Sequence, residues 1–222
     1  MDAIILAAGL GKRSMLNYPK QMFRLNGKPL VIIAIDLFMS VNQIQNIIVT
    51  VVSEMYGEFY ELIQKYYPNN PKIKIIFGGK TRQESVWLGL QHVKSQRVVV
   101  HESVRPFVTK GHVEDLIAVD GDVVVPCVSI VPTIYNKKGY YEDRDKLCNI
   151  QLPQVFTTEV LKQAHYNARD KNYTDDSSLV CSEFDVQPVL VEGLEENFKI
   201  TTSVDVKIAR CFYETYSINS GG

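Results

Sequence analysis

Cysteine is scarce in this chain of 222 residues, and no two of its four cysteines form a C-x-x-C pair. Cys127, Cys148, Cys181 and Cys211 are widely spaced, which argues against structural zinc and supports no disulfide framework. They read as reduced, packed thiols of a cytoplasmic protein. An excess of charge of one sign is also missing: 24 Lys and Arg stand against 25 Asp and Glu, for a formal net charge of −1. That excludes a nucleic-acid binder drawing its affinity from a broadly basic surface, but not a local cationic pocket. No apolar run reaches the ~18 residues of a membrane-crossing helix. The segment 1–9 resembles the apolar part of a signal peptide only superficially: it lacks a basic start and runs straight into a charged, glycine-containing loop. It is expected to be a buried first strand. Internal repeats, low-complexity segments and interdomain linkers are absent as well, so 1–222 is read as one domain.

What is present is a chain with 45% apolar residues, enough to exclude intrinsic disorder. Short β-branched runs alternate with longer amphipathic ones. Strands are expected at Ala3–Ala7, Ile47–Val52, Ile73–Phe77, Val98–His101 and Val123–Pro126, where continuous apolar runs suit burial on both faces. Helices are expected at Leu30–Val41, Glu54–Tyr66, Gln83–Lys94 and Lys110–Val119. Such alternation implies an α/β fold: a mostly parallel twisted sheet with helices on both faces. The polar stretch at about 130–150, with Lys137-Lys138-Gly139 as a turn, reads as a projecting β-arm that docks on a second subunit. Helices then return at Thr158–Lys171 and Asp175–Glu183. Strands at Val186–Val191 and Phe198–Thr201 and a closing helix from about Ser203 complete the pattern.

Ala7-Ala8-Gly9-Leu10-Gly11-Lys12-Arg13 follows the first strand directly, and glycines there let backbone N–H groups approach an anion. It is neither a P-loop, which needs Gly at Leu6 and Ser or Thr at Arg13, nor a dinucleotide fingerprint, which needs Gly or Ala at Ser14. Pro19-Lys20-Gln21 lies in the same loop region. Arg13 and Lys20 either clamp a polyphosphate together or stand as two solvated cations. Neither a Ser-His-Asp set nor a carboxylate pair appears. His101 has no ligand partners at metal spacing and reads as structural. Asp175 and Asp176 read as helix N-terminal acids favoured by the dipole.

Several blocks occur in one order along nearly the whole chain: Ala7-Ala8-Gly9-x-Gly11-x-Arg13, Pro19-Lys20-Gln21, Gly78-Gly79-x-x-Arg82-x-x-Ser85-Val86, His101-Glu102-Ser103-Val104-Arg105-Pro106-Phe107, Pro153-Gln154-x-Phe156, Tyr173-Thr174-Asp175-Asp176 and Asn197-Phe198-Lys199-Ile200-Thr201. Together they resemble the polyol-phosphate cytidylyltransferases, the family of 2-C-methyl-D-erythritol 4-phosphate cytidylyltransferase and of ribitol-5-phosphate cytidylyltransferase. The resemblance implies a Rossmann-like nucleotidyltransferase fold, CTP and a polyol phosphate as substrates, Mg²⁺ or another divalent cation, and a homodimer formed through the arm. Methylerythritol phosphate, for isoprenoid precursors, is the first choice of acceptor. Ribitol 5-phosphate, for CDP-ribitol, is the alternative.

By the same resemblance Arg13, Lys20 and Lys199 are the catalytic cations, the first two on the triphosphate and the third on the α-phosphate. Ala7, Ala8, Gly9, Gly11, Gly79 and Ser85 bind the nucleotide. Glu102, Arg105, Arg144 and Thr174 bind the acceptor, with Arg144 reaching a neighbouring subunit's substrate from the arm, and Glu102 is also the metal ligand. The chain departs from the family pattern at Glu102, where aspartate is usual, at Leu152 in place of threonine, and at Pro132 in place of aspartate. All three are expected near the polyol site. A non-catalytic nucleotide-binding protein and an NAD(P)-dependent reductase are the readings from other classes. Joint retention of Arg13, Lys20 and Lys199 argues against the first, and the missing third glycine against the second.

Overall fold

A computed structural model describes residues 1–9 and 19–219, with side chains to Tyr213. Among these residues twelve strands alternate with seven helices: β1 Asp2–Ala7, β2 Arg24–Leu25, β3 Lys28–Pro29, α1 Leu30–Ser40, β4 Asn46–Val51, α2 Tyr56–Tyr66, β5 Ile73–Phe77, α3 Arg82–Leu90, β6 Arg97–Glu102, α4 Lys110–Ala118, β7 Val123–Ser129, β8 Tyr135–Asn136, β9 Tyr140–Tyr141, β10 Cys148–Ile150, β11 Gln154–Thr157, α5 Thr158–Asn167, α6 Asp176–Phe184, β12 Val189–Glu192 and α7 Ser203–Asn219. The main sheet runs β5–β4–β1–β6–β11–β7, with β10 and β12 also paired to β7. The ladders among β5, β4, β1 and β6 are parallel, whereas β11 is antiparallel to both β6 and β7.

Period-2 side-chain alternation explains why these apolar runs bury both faces. Along β1, Ala3, Ile5 and Ala7 face a core shared with α1, α2 and α4, while Ile4 and Leu6 face a second core with Val86, Leu90, Leu161 and Val180 of α3, α5 and α6. A third cluster, built on Phe23, Leu25, Val104, Ile200 and Ala209, docks α7 beside the sheet's carboxyl end. Because β4 lies on one side of β1 and β6 on the other, the connections leaving β1 and β6 diverge. A crevice opens at that point, outside the carboxyl ends of the strands.

The expected α/β sheet with helices on both faces is present, and its element limits need correction in places. The helix expected to reach Lys94 stops at Leu90, where turns bonded from Gln91, His92 and Val93 carry the chain down to β6. The helix expected to reach Lys171 stops at Asn167. Helix α2 starts at Tyr56 after a 3₁₀ turn over Ser53–Met55. Phe198–Thr201 is not a strand: Ile200 N–H bonds Val104 C=O at 2.9 Å, but Phe198 N–H turns back to Glu196 C=O at 2.8 Å and Thr201 N–H goes to the Asp205 carboxylate at 2.8 Å. Strands β10 and β11 were not anticipated. The arm between β7 and β10 carries the short β8–β9 hairpin. No helix among the described residues is long and apolar enough to cross a membrane.

Candidate active site

The crevice at the carboxyl end of β1 and β6 holds a cavity of about 840 Å³, lined among others by Ala8, Gly9, Lys20, Gly78, Gly79, Ser85, Glu102 and Lys199. That size is in the range of small-molecule sites, roughly 300–1,000 Å³. Sequence segments far apart in the chain therefore meet as the motifs require. Arg13 and Gly11 lie outside the described residues.

One wall is the turn from β5 into α3. Gly78 N–H donates to Val51 C=O at 2.7 Å, tying this turn to β4. A Cβ on Gly78 would lie 2.4 Å from the Ala8 Cβ, so the glycine is demanded by close approach rather than by an unusual φ. Thr81 caps α3 by accepting the Glu84 N–H at 3.0 Å, and Glu84 reaches back to the Lys80 N–H at 2.6 Å. This is a capping-box arrangement shifted by one residue. Ser85 Oγ accepts the Gly79 N–H at 3.0 Å and donates to Thr81 C=O at 2.9 Å. Its hydroxyl proton is thus spent on the helix start, and what Ser85 can offer a ligand is an acceptor lone pair.

The opposite wall is charged. Glu102, at the end of β6, receives Lys199 on both oxygens at 2.9 and 2.8 Å, Arg82 at 3.3 Å and Arg105 at 3.8 Å. Burial alone would raise the Glu102 carboxyl, but Lys199, Arg82 and Arg105 outweigh it and hold it below its ordinary range. Burial is also what lowers the Arg105 guanidinium, against the pull of Glu102. Lys20 is 8% exposed, and its Nζ donates to Ile200 C=O at 3.1 Å. Gln21 Nε2 donates to Gly9 C=O at 2.8 Å, which fastens the strand β1 exit to the Lys20 turn.

The Lys199 segment is irregular, and side chains as well as backbone bonds tie it in place. Asn197 Nδ2 donates to Leu152 C=O at 2.6 Å, and Arg105 Nη1 donates to Asn197 C=O at 2.8 Å. Gln151 brackets Leu194 through its Nε2, at 2.7 Å to the carbonyl, and its Oε1, at 3.1 Å from the amide. These bonds join Gln151 and Leu152, just before the Pro-Gln block, to the segment that carries Lys199. His101 is fully buried within β6, its ring edge against Phe38 with centroids 5.5 Å apart. Burial, helped by the Arg105 charge, pushes its imidazole down to about 3, so it is neutral at physiological pH and serves packing.

Of the residues expected in the site, Ala8, Gly9, Lys20, Gly79, Ser85, Glu102 and Lys199 line one cavity. Arg105 reaches it from behind through Glu102. Ala7 is buried within β1. Thr174 is exposed in the turn before α6, and its side chain is not in that lining. Arg144 is exposed on the arm, where its guanidinium donates to Val131 C=O. Leu152, expected to shape the polyol pocket, is 5% exposed and packs in the second core with Phe156 and Leu161. Sequence reading missed that Arg82 joins the site: its Nη2 meets Asp176 at 2.7 Å while its Nε meets Glu102. The signal available was the arginine three residues before Ser85 on the first turn of α3. Among the described residues no group of three His, Cys, Asp or Glu side chains is placed to hold a metal ion.

The sequence matches the model of the 2-C-methyl-D-erythritol 4-phosphate cytidylyltransferase family over residues 1–215. Enzymes of that name are 35% identical in Bacillus velezensis, with 97% of each chain covered, and 34% identical in Geobacillus thermodenitrificans, with 94% of each covered. The fold is similar to that of 4-diphosphocytidyl-2C-methyl-D-erythritol synthase from Anaerococcus prevotii, with TM-score 0.83, 27% identity, and 96% and 95% of the two chains covered. It is also similar to the 2-C-methyl-D-erythritol 4-phosphate cytidylyltransferase of Thermus thermophilus, with TM-score 0.79, 26% identity, and 96% and 100% covered.

Proposed function

Since the chain belongs to the 2-C-methyl-D-erythritol 4-phosphate cytidylyltransferase family, we propose that it transfers the cytidylyl group of CTP to 2-C-methyl-D-erythritol 4-phosphate, releasing pyrophosphate. The ribitol 5-phosphate alternative finds no support among these relatives. The observation that carries the reading is the pairing, across one cavity, of a glycine-walled nucleotide side with the Glu102–Lys199–Arg82–Arg105 cluster.

The acceptor phosphate oxygen attacks the α-phosphorus, the bond from that phosphorus to the bridging oxygen of pyrophosphate breaks, and pyrophosphate departs with the electron pair. A phosphate monoester loses its second proton near pH ~6, so the nucleophile is already ionised and no protein base is required. The neutral, buried His101 is consistent with that. What the protein must supply is alignment of two anions and stabilisation of the charge that builds on the α-phosphate. Lys20, fixed by Ile200 C=O, and Arg13 take the triphosphate. Lys199 stands beside the acceptor side of the cavity and turns from Glu102 to the α-phosphate as substrates enter. Ser85, with its free lone pair, and the backbone at Ala8 and Gly79 suit the exocyclic amine of cytosine, a donor.

Glu102 is the one predicted site carboxylate, and three cations already surround it. One carboxylate suits an Mg²⁺ that would arrive with the nucleotide better than a resident metal cage, and Glu102 would be the residue to hold it. With Lys199 turned to the phosphates, Glu102 would keep its Arg82 and Arg105 pairs and could offer its remaining lone pairs to the ion or to the polyol hydroxyls. Such a metal would supply charge neutralisation for the triphosphate. We place the enzyme in the cytoplasm, where CTP is made. The arm exposes Val131, Tyr135, Tyr141, Leu147 and Ile150, an apolar set that favours pairing with a second copy. In such a dimer Arg144, and with it Thr174, would serve the acceptor phosphate. The direct test is turnover of Lys20→Ala and Lys199→Ala, each expected to lose roughly 10²–10³-fold in kcat. Wild-type turnover in either one removes that lysine from the mechanism.

A further inference from the structure

Asp176 has a role that a helix N-terminal acid does not need. The capping duty at α6 is already filled by Asp175, whose carboxylate accepts the N–H groups of Ser177 at 2.9 Å and Ser178 at 3.2 Å. Asp176 is instead 1% exposed, and its two oxygens go to different partners: Oδ1 to His165 Nε2 at 3.1 Å and Oδ2 to Arg82 Nη2 at 2.7 Å. An acid serving only the helix dipole would gain as much at the surface, without the desolvation cost that a buried carboxylate carries.

The geometry explains what the burial achieves. Arg82 is a planar fork, and its Nε contacts Glu102 at 3.3 Å while Nη2 is held by Asp176. With Glu102 as the sole anchor, the guanidinium could pivot about Nε; the buried ion pair of Asp176 with Nη2 restrains that pivot. Asp176 also cancels one of the three positive charges, those of Lys199, Arg82 and Arg105, that converge on Glu102. Without it, Arg82 would compete with Lys199 for Glu102 or swing toward the triphosphate. His165 is itself held in place, its ring stacked on Trp87 at 6.4 Å and 22°.

We propose that Asp176, steadied by His165, is a positioning residue for the reaction: it locks Arg82 onto Glu102 and so sets how Glu102 presents itself to Lys199 and the acceptor. This rests on the reading of Glu102 and Lys199 given under Proposed function. The chain of contacts runs His165–Asp176–Arg82–Glu102–Lys199, drawn from α5, α6, α3, β6 and the segment before α7. It is a route by which groups outside the cavity fix groups inside it.

The test is a double-mutant cycle on pyrophosphate release from CTP, Mg²⁺ and methylerythritol phosphate, using Asp176→Asn, Glu102→Gln and the double variant, each checked for folding by circular dichroism. Asp176→Asn is expected to lower kcat about 10²-fold, the order that ~1 Å of misplacement costs, with KM for CTP changed by less than about twofold. In the Glu102→Gln background the same substitution should cost less than about threefold, because its route ends at Glu102. A full and independent 10²-fold loss in that background overturns the proposal, and so does an Asp176→Asn enzyme within about threefold of wild type. Should Asp176→Asn fail to fold, Arg82→Lys serves in its place, keeping the charge and losing the fork. Retained kcat there overturns the proposal equally. A wild-type chain that releases no pyrophosphate refutes the proposed function instead, and the coupling is then read from melting temperatures in the same cycle. Non-additive losses support the route, and additive ones overturn it.

Discussion

Gly78→Ala is the sharpest test of how the glycine wall of the cavity is built. The added methyl carbon would stand 2.4 Å from the Ala8 Cβ, 3.1 Å from Ser85 Oγ and 3.3 Å from the Val51 carbonyl oxygen. Non-bonded carbons rest at roughly 3.5–4.0 Å, so the two methyl groups must separate by more than about 1 Å. Neither can yield cheaply. Ala8 directly follows a strand paired on both edges, and Gly78 is tied to Val51 by its own N–H at 2.7 Å. Overpacking of this kind costs about 1–3 kcal/mol, and the absence of a flexible neighbour places it in the upper half, about 2–3 kcal/mol. For a chain of this size, about 2–4 °C per kcal/mol gives a drop in Tm of roughly 4–12 °C. Because the displaced atoms include Ala8 and Ser85, KM for CTP should rise as well. Ala8→Gly removes the opposing methyl, so the double variant Gly78→Ala/Ala8→Gly should recover at least about half of the lost Tm. The assay is a thermal melt by circular dichroism beside initial-rate kinetics. A Gly78→Ala protein melting within about 1 °C of wild type, or a double variant with no recovery, would refute the close-approach reasoning.

Two further predictions concern pH and the arm. His101, Glu102 and Asp176 all have folded-state values below their unfolded ones. Each therefore adds stability that is complete above its unfolded value and lost as pH falls toward the folded one. His101 acts first, because its window opens at 6.5 and extends down to about 3. Between pH 6.5 and about 5 it should remove about 2 kcal/mol, on top of what His92 and His112, both also lowered by burial, add to the same slope, seen as a falling Tm before the carboxylates titrate. His101→Gln should make that part of the Tm profile shallower, and an unchanged slope would contradict the buried-neutral assignment. Removing the arm between Ile134 and Asp143 should convert a dimer to a monomer in sedimentation equilibrium; a dimer that persists sends the interface elsewhere.

The parallel half of the sheet was legible because its strands are β-branched and continuous, a pattern that needs cover on both faces. Strand β11 was not, because Gln154-Val-Phe-Thr is too short to carry a period and is placed by its neighbours β6 and β7. Phe198–Thr201 misled for the opposite reason. Its alternation is real, with Ile200 buried and Phe198 against Phe107 at 5.1 Å, but its amides go to Glu196 C=O, Val104 C=O and the Asp205 carboxylate rather than to a ladder. In the site, Lys20, Glu102 and Lys199 were readable from ordered motifs. The Arg82–Asp176–His165 links were not, since pairing between buried charges depends on how α3, α5 and α6 pack, which spacing along the chain does not encode. Leu152 shows the converse: a departure in a motif that looked like a change of pocket is a core residue.

The most direct measurement is pyrophosphate release by the intact protein with CTP and Mg²⁺, with methylerythritol 4-phosphate and ribitol 5-phosphate offered separately. The expected result is release dependent on CTP with the first acceptor, at a kcat/KM well above that with the second. No release with either acceptor from a folded protein, or a clear preference for ribitol 5-phosphate, would contradict the proposed function.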